Sequence, residues 1–324
     1  RGLGDVYKRQ GTFAPNWSIR PNEITIAYLL QEAGYATGHF GKWHVGPVKC
    51  DSPTNPGAMG FDEWLSHDNF FELIPLLSSN GAPTNRLDGE GSSVVVDAAI
   101  NFIADAQATE QPFFVVVWFG SPHEPYSGLE EDLALYNNLP DQYAEKIVTL
   151  TSNHTGLQIR RPLREVLRER YAEITAMDRA IGQLRDYLEH TGLKNNTMLW
   201  YKGDNGTPSS GLADSPLRGL KGTMYEEGIR VPSILEWPAR IQLPRTTDVP
   251  AVTSDILPTL TTLTGHNLPD RVLDGINLEP LIDGLMTTRP QPIFFWSFNI
   301  SGLSGRMTEP YIRADLQTGT TPLV

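Results

Sequence analysis

Apolar positions along the chain follow two periods. Ile26, Leu29, Leu30 and Ala33 fall at helical spacing, with Asn22 ahead as a cap and Gly34 at the stop position, and predict a helix over 22–33. A short strand is expected over 35–40. A second helix is predicted over 93–106, after which Pro112 breaks the chain. The unbroken apolar run 113–119 then reads as a strand buried on both faces. Leu167, Tyr171, Ile174, Met177, Ile181, Leu184 and Leu188 recur at threes and fours, which predicts a long helix over 163–190 followed by Gly192. Strands are expected over 197–201 and 230–237, and a capped helix over 254–264 before Gly265. Residues 65–85 and 127–155 carry no decipherable pattern and read as loops.

Helices alternating with strands predict an α/β fold with a doubly wound, mostly parallel sheet flanked by helices. In such sheets ligands bind beyond the carboxyl ends of the strands. Three polar groups directly follow predicted strands: Lys42 with His44, then His123, then Asp204 with Asn205. They are therefore expected to converge on one sheet edge.

Composition narrows the class of partner. The 324 residues carry a formal net charge of −12, whereas nucleic-acid binding leaves a basic patch or stripe. An acidic surface steers anions away, so an anionic substrate needs a local cluster of cations. No window approaches the roughly 18 apolar residues of a membrane helix. Cys50 is the only cysteine, so no intrachain disulfide forms. Residues 1–10 have neither a signal-peptide core nor a helix or strand pattern, and read as foreign or disordered.

Each polar group has a chemical reading and a plainer one. Lys42 and His44 lie two apart, so an extended chain points both to the same side. Together they suit an anionic reaction centre, one holding negative charge and the other moving protons; alternatively they are solvated loop residues. His123, between Pro122 and Pro125, is a rigidly presented imidazole or a plain turn residue. Asp204 and Asn205 offer adjacent hard oxygens suited to Ca²⁺ or Mg²⁺, yet Asn-Gly after a strand is also a strong hairpin signal. Arg218 and Lys221 sit in a glycine-rich loop that would let backbone and cations approach an anion, or would simply be solvated.

The order of these groups resembles the type I, formylglycine-dependent sulfatase family of the alkaline phosphatase superfamily. The similar stretches run from Gly41-Lys42-Trp43-His44-Val45-Gly46 through Gly60-Phe61-Asp62-Glu63 and Pro122-His123-Glu124-Pro125. They continue with Met177-Asp178-Arg179-Ala180-Ile181-Gly182, Asp204-Asn205-Gly206, Leu217-Arg218-Gly219-Leu220-Lys221-Gly222, Gly228-Ile229-Arg230-Val231-Pro232 and Ser254-Asp255-Ile256-Leu257-Pro258. The resemblance implies a sulfuric ester hydrolase in which Lys42 and His44 contact the nucleophile and His44 assists collapse of the sulfated intermediate. It implies that His123 and Lys221 grip the sulfate and help the leaving oxygen depart, with Arg218 binding substrate. Asp204 and Asn205 would ligate a divalent cation, Ca²⁺ rather than Mg²⁺.

No C/S-x-P-x-R motif occurs, so the family's formylglycine nucleophile is not contained in this chain. The family's N-terminal strand with its paired aspartates is not found either, and the chain reads as a fragment that is inactive alone. Lys202 stands where a small polar residue is usual, and Glu227 replaces a usual glycine. The expected organisation is a non-family stretch 1–10, a catalytic α/β domain 11–285 and a truncated C-terminal subdomain 286–324 that begins with a strand over 291–298. Family membership further implies a sulfated small molecule or glycan as substrate, a formylglycine-generating or anaerobic maturation enzyme as partner, and a periplasmic or secreted location. The alternatives are a phosphoester or phosphonate hydrolase of the same superfamily, or a non-catalytic protein that binds sulfated glycans.

Overall fold

A computed structural model describes residues 18–21, 23–69, 73–124, 126–151, 157–211, 215–270 and 272–293. The first helix, α1 (Ile26–Glu32), starts one residue after Thr25, whose hydroxyl accepts the Tyr28 N–H at 3.0 Å and donates to the Met59 carbonyl. Thr25 thus caps the helix; Asn22, the expected cap, lies outside the described residues. Gly34 ends it in the left-handed region, φ +87°.

The central sheet is built from β1 (Ala36–Lys42), β2 (Glu63–His67), β3 (Leu76–Ser79), β4 (Asn85–Arg86) and β5 (Phe113–Trp118), in the order β4-β3-β2-β1-β5. Strand β1 is parallel to both neighbours, and β3 and β4 add antiparallel strands at one side. The α/β expectation holds, with a parallel centre and an antiparallel margin. The segments read as loops contain β3 and, further on, part of a hairpin of β6 (Ile147–Thr151) and β7 (Gln158–Pro162). These strands are too short or too polar to show a period-two pattern.

Helix α2 (Gly91–Ala108) covers one face of the sheet, where Val95, Ala99 and Phe102 pack on Ala36 and Phe40. Phe40 is fully buried; a side chain of that size contributes about 1.5–3 kcal/mol. On the opposite face Ala27, Trp43, Met59 and Phe61 form a second apolar cluster. Helix α3 (Leu163–His190) has the predicted bounds. Ala172, Ala176 and Ala180 widen its buried face beyond the ridge of large residues.

Strand β5 departs from expectation. Its residues are only partly buried, and Trp118 is 45 % exposed. Full burial needs a strand on each edge and a layer on each face. Among the described residues β5 pairs on one edge, with β1. Strand β8 (Leu199–Lys202) forms a separate antiparallel pair with β9 (Ser233–Glu236). Even so, Val115, Val117 and Leu199 lie against one helical layer made by Val96, Ile103, Ala180 and Leu184. Strand β9 is shorter than expected because Pro232 has no N–H to give a ladder. Of the strand expected over 291–298, residues 294–298 lie outside the described residues, as do residues 1–10.

Candidate active site

Lys42 closes β1, and the chain continues along the neighbouring segment: Trp43 N–H donates to His67 O and His44 N–H to Asp68 O, both at 2.8 Å. His44 turns the chain with φ +54°, a conformation uncommon for a residue with a Cβ. Burial pushes the Lys42 ammonium down to about 8, helped by the positive charge of Lys221 and opposed by Asp204. Lys42 therefore remains largely charged at neutral pH. Burial, then Lys42 and Lys221, lowers His44 to about 4, so this imidazole is neutral.

His123 follows β5. Its Nδ1 lies 2.8 Å from the Glu124 carbonyl, which can only accept, so the ring proton sits on Nδ1. Nε2 is left as an acceptor, and the Lys221 ammonium donates to it at 3.3 Å. Burial and the adjacent Lys221 hold His123 at about 3, again neutral. Lys221 is carried by a loop whose Gly219 and Gly222 have φ of +97° and +87°, and its N–H donates to Thr207 O at 2.8 Å.

Lys42, His44, His123, Lys221 and Asp204 thus share one electrostatic neighbourhood, as the strand ends predicted. Two ammonium groups beside two neutral imidazoles form a local cationic pocket in an acidic chain. Such a cluster can hold a tetrahedral oxyanion, with the Lys221 ammonium as its proton donor.

Asp204 and Asn205 lie just past β8. Asp204 Oδ1 accepts the Asn205 N–H at 2.8 Å, while Asn205 Nδ2 donates to Gly206 O at 3.1 Å. The plain-hairpin reading does not describe this turn, because the partner strand β9 begins only at Ser233. Gly206 is needed instead for a close approach: a Cβ there would sit 1.5 Å from Glu227 O. The two side chains fit a divalent cation in type, being hard oxygen donors, but supply only part of a shell of six or more. Among the described residues no group of three or more His, Cys, Asp or Glu side chains could hold a metal.

Arg218 is placed differently. Its guanidinium lies 3.9 Å over the Tyr225 ring and donates to the Tyr225 hydroxyl at 2.9 Å. It is not among the charges that shift Lys42, His44 or His123. Glu227 is buried, accepts the Ser215 hydroxyl, and joins its N–H to Arg218 O at 2.9 Å. His67, which the sequence did not single out, pairs with Lys42 in the parallel ladder and so points to the same face, but burial and Asp68, not the cluster, shift its pKa. Its place at the end of β2 was hidden by the polar run that follows.

Arylsulfatase G of Canis lupus familiaris is 28 % identical over 88 % of this chain and 57 % of its own length. Human arylsulfatase A is 30 % identical over 85 % of this chain and 54 % of its own length. A solved structure in complex with its substrate D-glucosamine-2-N,6-O-disulfate superposes with a TM-score of 0.67 at 22 % identity, covering 87 % of this chain and 69 % of that one. The chain thus spans little more than half the length of these curated relatives. The family model described as Sulfatase matches residues 4–266, well over half of the 324, and the chain belongs to the sulfatase family.

Proposed function

We propose that this chain supplies the anion-binding part of a sulfuric ester hydrolase active site. The observation that carries the reading is the Lys221–His123 contact of 3.3 Å, set in the field of Lys42 and His44. His123 and Lys221 grip the sulfate, and the Lys221 ammonium, held on His123 Nε2, is placed to give its proton to the leaving oxygen. Lys42 and His44 face the nucleophile, and the neutral imidazole of His44 can accept a proton there. Arg218 binds substrate at the rim or, through Tyr225, shapes the loop that does. Asp204 and Asn205 would hold Ca²⁺, more suitably than Mg²⁺, and the ion would stabilise charge on the sulfate oxygens. The nucleophile is a formylglycine not contained in this chain, installed by a formylglycine-generating or anaerobic maturation enzyme.

A sulfated glycan is the substrate class that the disulfated glucosamine complex of a fold neighbour supports. No helix among the described residues is long and apolar enough to cross a membrane. On family membership alone, we place the complete protein in the periplasm or outside the cell.

The test compares the 324-residue chain with the complete protein. The chain alone does not turn over an aryl sulfate; the complete protein does, and prefers it to the aryl phosphate. In the complete protein Lys221→Ala lowers kcat by about 10²–10³, the usual cost of one donor to a developing oxyanion. Turnover by the isolated chain at the intact protein's rate would sink the proposal. A preference for aryl phosphate would favour a phosphoester or phosphonate hydrolase, and glycan binding without turnover a non-catalytic binder.

A further inference from the structure

The two segments that meet at the Lys221–His123 contact are both held by one turn of α3. Past His123, the Ser127 N–H donates to Glu173 Oε1 at 2.8 Å, and Tyr126 is buried against the same region. Ahead of Lys221, Arg170 donates from Nη1 to Gly211 O at 2.7 Å and from Nη2 to Thr207 Oγ1 at 3.2 Å. The carbonyl of that same Thr207 receives the Lys221 N–H at 2.8 Å. Gly211 is wedged at the joint: a Cβ there would lie 2.9 Å from Arg170 Cδ and 3.0 Å from the Tyr126 hydroxyl. Arg170 and Glu173 are three residues apart and so share a helix face.

We infer that Arg170 and Glu173 are a positioning pair, a ruler on one helical turn that sets the spacing between Lys221 and His123. A rigid helix is suited to this, because its two side chains keep a fixed separation while the loops they hold do not. Arg170 touches neither reacting group and acts through Thr207; Glu173 acts through the Ser127 backbone. The bearing on catalysis rests on the hydrolase proposal, whereas the spacing does not.

Two readouts separate positioning from general loss of stability. In the chain carrying ¹³C-labelled histidine, Arg170→Met lets Lys221 drift from His123, whose titration moves up toward its ordinary value by about one unit. The groups facing that ring are Lys221, Lys42 and His44, with the Glu124 carbonyl on Nδ1. In the complete protein the same variant lowers kcat by about 10–100-fold, more than it raises KM, because misplacement by an ångström is costly. Arg170→Lys, which can remake one bond, loses less than Arg170→Met, and Glu173→Gln, which can still accept the Ser127 N–H, loses less than Glu173→Leu.

Arg168→Met is the control. Arg168 ties the same helix to Leu133 O at 3.0 Å rather than to the Thr207 or Ser127 segment, and its loss leaves His123 and kcat unchanged. Should Arg170→Met fail to fold, Thr207→Val removes only the hydroxyl that Arg170 reaches and must lower kcat in the same sense. The inference is overturned by a His123 titration in Arg170→Met that overlays the wild type, by an equal kcat loss in Arg168→Met, or by an unchanged kcat in Thr207→Val. If the complete protein shows no sulfatase activity, the functional proposal fails, while the His123 titration still decides the ruler.

Discussion

His39 shows at the residue scale what burial does to a titratable group. It lies wholly inside the sheet, its Nδ1 2.7 Å from Ser66 Oγ, edge-on to Trp43 and Trp118 with ring centroids 4.9 and 5.0 Å away. Burial lowers its pKa to about 3, against 6.5 in the unfolded chain. The folded state therefore refuses a proton that the unfolded state accepts between those values. Its contribution to stability is complete above pH 6.5 and lost as pH falls toward 3, at about 1.4 kcal/mol per pH unit. His44 and His123 add slopes of the same sign. Urea midpoints measured from pH 7 to 4.5 should fall steeply for the wild type and less steeply for His39→Phe, whatever the variant's absolute stability. Equal slopes would show that His39 is not the group being titrated. The clustering of Lys42, His44 and His123 was legible because each lies at or just past the end of a strand. The desolvation of His39 was not, since apart from Trp43 its neighbours Phe61, Ser66 and Trp118 are distant in sequence. Thr25 displaced Asn22 as the cap for a local reason: the hydroxyl nearest the first helical residue reaches the free N–H.

At the scale of elements, legibility followed length. Helix α3 was readable end to end because its 28 residues repeat one pattern many times. Strand β4, with two residues, has no period to read. Two glycines show how the same residue type carries opposite meanings. Gly182 lies within α3 with nothing inside 4 Å of the Cβ it lacks, so Gly182→Ala should stabilise the chain by about 0.5–1 kcal/mol through the unfolded state's lost freedom. Gly206 joins the Asp204 segment to helix α4 (Glu226–Ile229), and its added Cβ would collide with Glu227 O. The backbone there cannot give without breaking the Gly206 N–H bond to Gly228 O, at 3.0 Å. Gly206→Ala should therefore lower the melting temperature where Gly182→Ala raises it. Thermal unfolding of the two variants side by side checks the contrast; a neutral Gly206→Ala would mean that the joint is looser than drawn.

Across the whole molecule the parts distant in sequence are fastened by polar hubs as well as by apolar layers. Asp255 is fully buried at the entry to α5 (Ile256–Leu263), and Arg289, 4 % exposed, meets it through two hydrogen bonds of 2.7 and 2.8 Å. The same carboxylate accepts the N–H of Val252 and of Ile276, both at 2.8 Å. Burial by itself would raise its pKa; the Arg289 guanidinium and the two backbone donors outweigh that and hold it below the ordinary range. One side chain thus ties together three stretches of chain. Nearby Thr253 takes a hydrogen bond from Lys202 at 3.0 Å, which links this hub to the strand that presents Asp204. The sequence resemblance marked Ser254-Asp255 as a motif without showing that its partner would be Arg289, thirty-four residues on. A buried pair of this kind is weak as a source of net stability but costly to break by half, because the remaining charge is stranded. Arg289→Met should cost about 3–5 kcal/mol in urea unfolding. Adding Asp255→Asn to it should cost less than the two single changes summed, since the second removes the stranded charge left by the first. An Arg289→Met variant within about 1 kcal/mol of the wild type, the range of an exposed ion pair, would instead mean that water reaches the carboxylate.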